Sequence, residues 1–140
     1  TPCNTTLIVE LAYQSIGLDC RDLADAFNGA EAALDGSEEQ LKSYQTFWER
    51  RINQPMPAQY YLYAKIQHPE PFGLLYFTPA IYATVNLADG SGAYSLDLSY
   101  SRFTNLYLQI RGQAFLGTTH SEYGEKAIAA RLEARVQFFF

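Results

Sequence analysis

Polar and apolar side chains alternate one by one along most of this chain. In an extended strand, successive side chains point to opposite faces, so a period of two sorts them into two surfaces. Residues 5–16 place Leu7, Val9, Leu11 and Tyr13 against Glu10, Ala12 and Gln14, with Ile8 out of pattern, and Gly17 ends the run. Residues 59–67 place Tyr60, Leu62, Ala64 and Ile66 against Tyr61, Tyr63, Lys65 and Gln67, closed by His68-Pro69-Glu70-Pro71. The same alternation returns in residues 74–88, 93–103, 106–116 and 131–140, separated by Asp89-Gly90-Ser91-Gly92, by Thr104-Asn105 and by a polar loop from Gly117 to Lys126. Glycine- and Asx-rich breaks of this kind are tight-turn signals. The pattern predicts six antiparallel strands of ~10 to 14 residues, where ordinary globular strands average ~5 to 6.

One segment changes period. Leu23, Phe27, Ala30 and Leu34 recur at helical spacing up to the break Asp35-Gly36. Ser37-Glu38-Glu39-Gln40 then reads as a capping box, and Leu41, Tyr44, Trp48 and Ile52 form a second stripe that Asn53-Gln54-Pro55-Met56-Pro57 terminates. Two short amphipathic helices are expected within residues 20–53, inside an insertion spanning 18–57.

Composition sharpens this picture. The 140 residues suffice for a single domain, expected to cover 1–140. The chain holds 11 Tyr, 9 Phe and 1 Trp but only 18% charged residues, a balance expected of an apolar exterior banded by amphipathic rings. No run reaches the ~20 apolar residues of a membrane helix, so a membrane crossing would be made by strands. The net charge of −5, with acids concentrated between Asp19 and Glu49, argues against a nucleic-acid partner. The chain opens at Thr1 without an initiating Met, which leads to the expectation of a mature or trimmed end.

The last ten residues place Leu132, Ala134, Val136, Phe138 and Phe140 on one face and Arg131, Glu133, Arg135 and Gln137 on the other. Exposed at a free edge, such a face invites aggregation, so something apolar must cover it. The pattern resembles the C-terminal strand of Gram-negative outer-membrane β-barrels, in which a terminal Phe preceded by apolar residues at every second position is the signal read by the barrel-assembly machinery. The resemblance covers residues 59–140 well and 5–16 weakly, and the insertion matches no motif. It implies an all-β membrane fold: part of an antiparallel up-and-down transmembrane barrel of about six strands with a two-helix insertion. It also implies residence in the outer membrane, with its lipid and the assembly machinery as partners.

With Phe140 at the periplasmic side, counting backwards puts 117–126, the Asp89 turn and the insertion outside, and Thr104-Asn105 and the His68 turn inside. This matches the long external loops and short periplasmic turns of such barrels, apart from the short Asp89 turn. Phe72, Phe103, Phe138 and Phe140 then fall near the periplasmic interface, and Tyr13, Tyr60 and Tyr94 toward the other one. Phe139 breaks the alternation and would point into the lumen. Single-chain barrels begin at 8 strands, so further strands or further copies of the chain are expected to complete the ring. The alternative is a soluble α+β domain, an antiparallel sheet whose apolar face is covered by the two helices, serving as a small-ligand-binding module.

The face opposite the lipid would carry Lys65, Asp97, Arg111, Glu133 and Arg135. A two-residue turn at Thr104-Asn105 brings Asp97 roughly opposite Arg111, with Glu133 and Arg135 at neighbouring heights. Such charges read either as a structural ion ladder or as a lining that selects permeating solutes. The functional expectation is accordingly a structural envelope role or porin-like passive transport, without enzymatic activity. His68 and His120 lie far apart in the expected topology. His120-Ser121-Glu122 are adjacent in sequence and point different ways, which is not triad geometry. No cofactor or metal is expected, because two cysteines cannot supply a four-ligand zinc site. Cys3 and Cys20 could pair in an oxidising compartment, but a straight strand between them would hold them ~40 Å apart at ~3.3 Å per residue.

Overall fold

The computed structural model describes residues 4–52 and 54–140. Six strands, β1 (Thr6–Tyr13), β2 (Tyr60–Gln67), β3 (Phe77–Asn86), β4 (Gly92–Phe103), β5 (Leu106–Leu116) and β6 (Ala130–Phe138), form one antiparallel sheet in sequence order, with β1 and β6 at its edges. Two helices, α1 (Cys20–Leu34) and α2 (Glu38–Arg51), are inserted between β1 and β2. Each helix starts where its sequence supplies a cap. Asp19 accepts the Arg21 and Asp22 amides at 2.8 Å each, and Ser37 and Gln40 close the capping box. Glu38 and Glu39 open α2 and Arg50 and Arg51 close it, opposing the helix dipole at both ends.

Four expectations change in detail. β1, β2, β3 and β6 are shorter than the alternation suggests, at 8, 8, 10 and 9 residues, whereas β5 keeps its expected bounds and β4 gains Gly92. β1 stops at Tyr13 because the chain turns so that Leu18 and Ala58 form a parallel bridge, with Leu18 N–H donating to the Pro57 carbonyl at 2.8 Å and Gln59 N–H to the Leu18 carbonyl at 3.0 Å. β3 starts at Phe77 because residues 70–76 fold into a turn with a short 3-10 segment, Pro71–Gly73. In α1 the buried residues are Leu23, Ala26, Phe27 and Ala33, whereas Leu34 at the helix end stays 75% exposed. The pairing of Cys3 with Cys20 falls on a residue outside the described ones; Cys20 itself is exposed at the start of α1.

The registers place the alternating residues on two continuous surfaces. One row across the sheet reads Leu7, Ile66, Ile81, Leu96, Gly112, Leu132, and another Val9, Ala64, Ala83, Tyr94, Ala114, Ala130. The opposite face reads Gln67, Ala80, Asp97, Arg111, Glu133 in one row and Lys65, Tyr82, Ser95, Gln113, Arg131 in the next. Along the inner strand β4, burial is inverted relative to a water-soluble sheet. In β4, Ser95 and Asp97 are 5% and 9% exposed, whereas Tyr94 and Leu96 between and beside them are 40% and 44% exposed. The sheet is therefore bent around its polar face.

Antiparallel connections divide the rest between two ends. At the cap end lie the insertion, the Leu87–Ser91 turn and the loop from Gly117 to Ala129; at the turn end lie residues 68–76, Thr104-Asn105 and the C-terminus. The apolar core sits at the cap end. Leu18, Leu23, Phe27, Ala58, Tyr61, Ala93 and Tyr123 are buried together, flanked by Trp48, Ile52, Met56, Ala88 and Phe115. Tyr61, Ala93 and Phe115 belong to the polar face, paired with Asn86, Thr84 and Ala93 respectively. The helices thus close one end of that face, and Leu7, Leu11, Ile81, Ile110, Leu132 and Val136 on the apolar face all remain exposed. The placement that the soluble alternative requires, helices over the apolar face, is not what the chain adopts. Among the described residues no helix is long and apolar enough to cross a membrane.

Candidate functional site

The polar face carries the charged residues singled out by the alternation, and the register shift between Tyr100 and Phe103, beside the Thr104-Asn105 turn, sets their pairing across β4 and β5. Asp97 pairs directly with Arg111 across β4 and β5, and Arg111 with Glu133 across β5 and β6. Asp97 accepts from Arg111 Nε at 3.0 Å and Nη2 at 2.8 Å, and from Gln109 Nε2 at 2.9 and 2.7 Å, so both of its oxygens are occupied. A carboxylate taken out of water needs this degree of pairing. Glu133 accepts from Arg131 at 2.7 Å and Arg135 at 3.0 Å, both two residues away on the same face of its own strand. The ion pairs therefore fall in two groups, one across strands and one along β6. Arg135 sits opposite Gln109, one step from Asp97.

Lys65 occupies the same face on β2, opposite Ile8 and Tyr82, and none of the ion pairs among the described residues includes it. It lines a depression of about 370 Å³ with Tyr63, Tyr82, Asp97, Tyr107 and Arg111, walled by four strands. The arrangement offers a cation, hydroxyls and amides around a water-accessible hollow. Among the residues that line it, no nucleophile is paired with a base.

The apolar residues of the terminal strand are placed as the alternation requires. Leu132, Ala134, Val136 and Phe138 pair with Gly112, Ile110, Leu108 and Leu106 on the exposed apolar face. Phe140 lies beyond the end of β6 with its ring 5.3 Å from that of Phe138, and Phe139 N–H donates to the Asn105 carbonyl at 2.9 Å. Phe103, Leu106 and Phe138 form one row at the turn end, and Phe72 stands fully exposed on the neighbouring turn. At the cap end Tyr13 and Tyr60 are cross-strand partners with ring centroids 5.0 Å apart.

A buried polar cluster at the cap end was not visible in the sequence. Glu122 Oε2 accepts from Tyr61 Oη at 2.5 Å and from Asn86 Nδ2 at 2.9 Å, and Glu122 N–H donates to Asp89 at 2.8 Å. Asp89 also accepts from Ser91 N–H, and Tyr123 N–H donates to Ser91 Oγ, so the Leu87–Ser91 turn is tied to the 117–129 loop from both sides. Burial holds the Glu122 carboxyl above its ordinary range, against the opposing pull of the Tyr61 and Asn86 hydrogen bonds and of Lys126. Burial likewise raises the Tyr123 phenol. The one sequence signal for this cluster is the pair Gly117 and Gly124: a Cβ on either would strike Ser121 Oγ, and one on Gly124 would also strike the Thr118 carbonyl.

The histidines lie at opposite ends of the sheet. His68 Nδ1 meets Thr5 Oγ1 at 2.6 Å, and His120 Nε2 meets Glu31 at 3.0 Å beside the Phe27 ring. His120, Ser121 and Glu122 engage Glu31, Thr118 and Tyr61 respectively, three partners in three directions. Among the described residues no group of three or more His, Cys, Asp or Glu side chains is placed to hold a metal ion. Compared with protein-family models, with curated proteins and with solved structures, the chain matches none.

Proposed function

We propose that this chain forms part of the wall of an outer-membrane β-barrel, with its apolar face against lipid and its polar face toward the lumen. The observation that carries this reading is the inverted burial of the inner strand β4, with Leu96 and Tyr94 exposed and Ser95 and Asp97 buried, in a sheet whose registers gather the apolar rows on one face across all six strands. An apolar exterior of this extent is stable where hydrocarbon replaces water. Strands of 8 to 12 residues suit a tilted crossing, for which ~9 to 11 residues suffice. Two edge strands remain open, so further strands or further copies of the chain complete the ring, as a barrel requires. The terminal apolar residues then serve the assembly machinery, and the cap end faces outward.

Within that setting the role is a structural envelope element. The mutual pairing of Asp97, Gln109 and Arg111 and of Glu133 with its two arginines is that of a stiffened wall. A second reading, passive transport, is favoured by one observation: Lys65 stands without an ion pair among the described residues at the edge of a water-accessible hollow. Refolding the chain from urea with phospholipid vesicles tests the membrane reading. The expected product is vesicle-bound, β-rich and protected from added protease; a monodisperse species in detergent-free buffer overturns the proposal. Planar-bilayer recordings then separate the two roles. A silent bilayer supports the structural role, whereas a conductance whose ion selectivity shifts in Arg111→Ala supports transport.

A further inference from the structure

We propose that the turn end carries a seat for one anionic membrane phospholipid, its phosphate held by Arg102 and its acyl chains laid along Leu74, Leu75 and Phe77. The inference rests on the membrane reading above and names a partner for one point on the lipid-facing surface. The register between β4 and β5 shifts between Tyr100 and Phe103, and Arg102 lies within that shift. A bulge re-aims a side chain. Here Arg102 lines a hollow of about 750 Å³ together with Leu74, Leu75, Tyr76, Phe77 and Tyr100. Phe77 and Tyr100 are cross-strand partners on the apolar face, so the hollow opens on that side. The positions that the registers assign to the apolar face carry no charge among the described residues, and Arg102, unpaired at the shift, adjoins that face through the hollow it shares with Phe77 and Tyr100. Arg102 is thus a lone cation at the lower border of an apolar surface, and no ion pair among the described residues engages it.

The turn that forms the other wall is held in an unfavourable backbone. Glu70, Phe72 and Tyr76 have φ of 54°, 57° and 65°, left-handed values that cost a residue with a Cβ roughly 1–2 kcal/mol each. Glu70 N–H donates to the Phe77 carbonyl at 2.8 Å, and Ser101 N–H to the Tyr76 carbonyl at 3.1 Å. The Glu70 carboxylate accepts Tyr76 N–H at 3.1 Å and is engaged within the turn. Strain of this kind collects at ligand clamps. The chemistry of the hollow is amphipathic in the order a phospholipid needs: a guanidinium with bidentate capacity for phosphate at the rim, tyrosine hydroxyls beside it, and aliphatic and aromatic carbon along the wall.

The full chain inserted into phosphatidylcholine vesicles containing spin-labelled lipid reports the preference directly, and protease protection reports insertion independently. Labelled phosphatidylglycerol is expected to associate with the inserted chain about fivefold more strongly than labelled phosphatidylcholine, the factor set by one basic residue near an anionic surface. Arg102→Ala and the longer Arg102→Gln both remove the preference, Arg102→Lys, a cation without the bidentate fork, keeps only part of it, and added inorganic phosphate does not compete. Equal association of the two lipids with an inserted wild-type chain overturns the inference and leaves the membrane reading standing, as does a preference that survives in Arg102→Gln. Displacement by inorganic phosphate overturns it in favour of a simple anion site. A chain that is not protease-protected in any vesicle overturns the membrane reading and this inference together.

Discussion

At the scale of single residues, Glu122 holds the cap together. Its carboxylate satisfies two donors from different strands, Tyr61 and Asn86, and truncation to alanine leaves both without a partner, at about 1–3 kcal/mol each. Its raised pKa gives the cap a pH dependence of definite sign. A carboxyl with a folded pKa above the unfolded one binds more protons in the native state, so stability is highest at acid pH and falls as pH rises from the unfolded value toward the folded one. Protection of the 117–129 amides, taken relative to the intrinsic exchange rate at each pH, is therefore expected to be greatest below pH 4.5 and to decline above it, and Glu122→Gln is expected to flatten that profile. Wild-type protection that increases with rising pH would show the sign to be wrong. The shared face of Asp97 and Arg111 was legible in the alternation, whereas their direct pairing depends on a one-residue register shift between Tyr100 and Phe103 that the turn alone does not give. Glu122 was not legible, because its burial depends on Tyr61 and Asn86, which lie 61 and 36 residues away.

Among the elements, the helices were legible at their caps and less so at their faces. Ser37 and Gln40 define the start of α2 through local geometry alone. The α2 stripe of Leu41, Tyr44, Trp48 and Ile52 is indeed the half-buried one, while the α1 face rotates toward Ala26 and Ala33. That rotation is a tertiary effect: the Tyr44 hydroxyl donates to the Ala26 carbonyl, and the Phe27 ring sits edge-on to Trp48 at 5.2 Å. Since Trp48 is the one tryptophan, its fluorescence reads the state of the helical pair. Ser37→Ala is expected to destabilise α2 by about 1 kcal/mol, seen as an earlier red shift of Trp48 emission in urea with the far-ultraviolet β signal unchanged. Loss of the β signal at the same urea concentration would mean that the insertion and the sheet unfold as one unit.

For the whole molecule, alternation read from the sequence located all six strands and the order of their pairing, because a sheet with two chemically distinct faces tolerates no one-residue slip. What covers the apolar face is not written in any one strand, and a single substitution addresses it. Leu96 lies in the middle of that face, on an inner strand, and Leu96→Arg places a charge there. Against lipid, the substitution is expected to cost ~2–4 kcal/mol near the bilayer midplane. Against water, an exposed position of this kind changes stability by about 0.5 kcal/mol or less. Denaturant titration of the vesicle-inserted chain distinguishes the two, and a cost in the smaller range would remove lipid as the covering medium.

The parallel bridge between Leu18 and Ala58 gives the molecule a seam. Everything from Asp19 to Pro57 leaves and re-enters the sheet at adjacent backbones, so the β1–β2 pairing does not depend on the length or content of what lies between. In evolutionary terms the insertion is an exchangeable graft. The outward-facing surface can be shortened, lengthened or replaced under selection while the strand register beneath it stays the same, and divergence is expected to run fastest on the helices and slowest in the rows of the sheet.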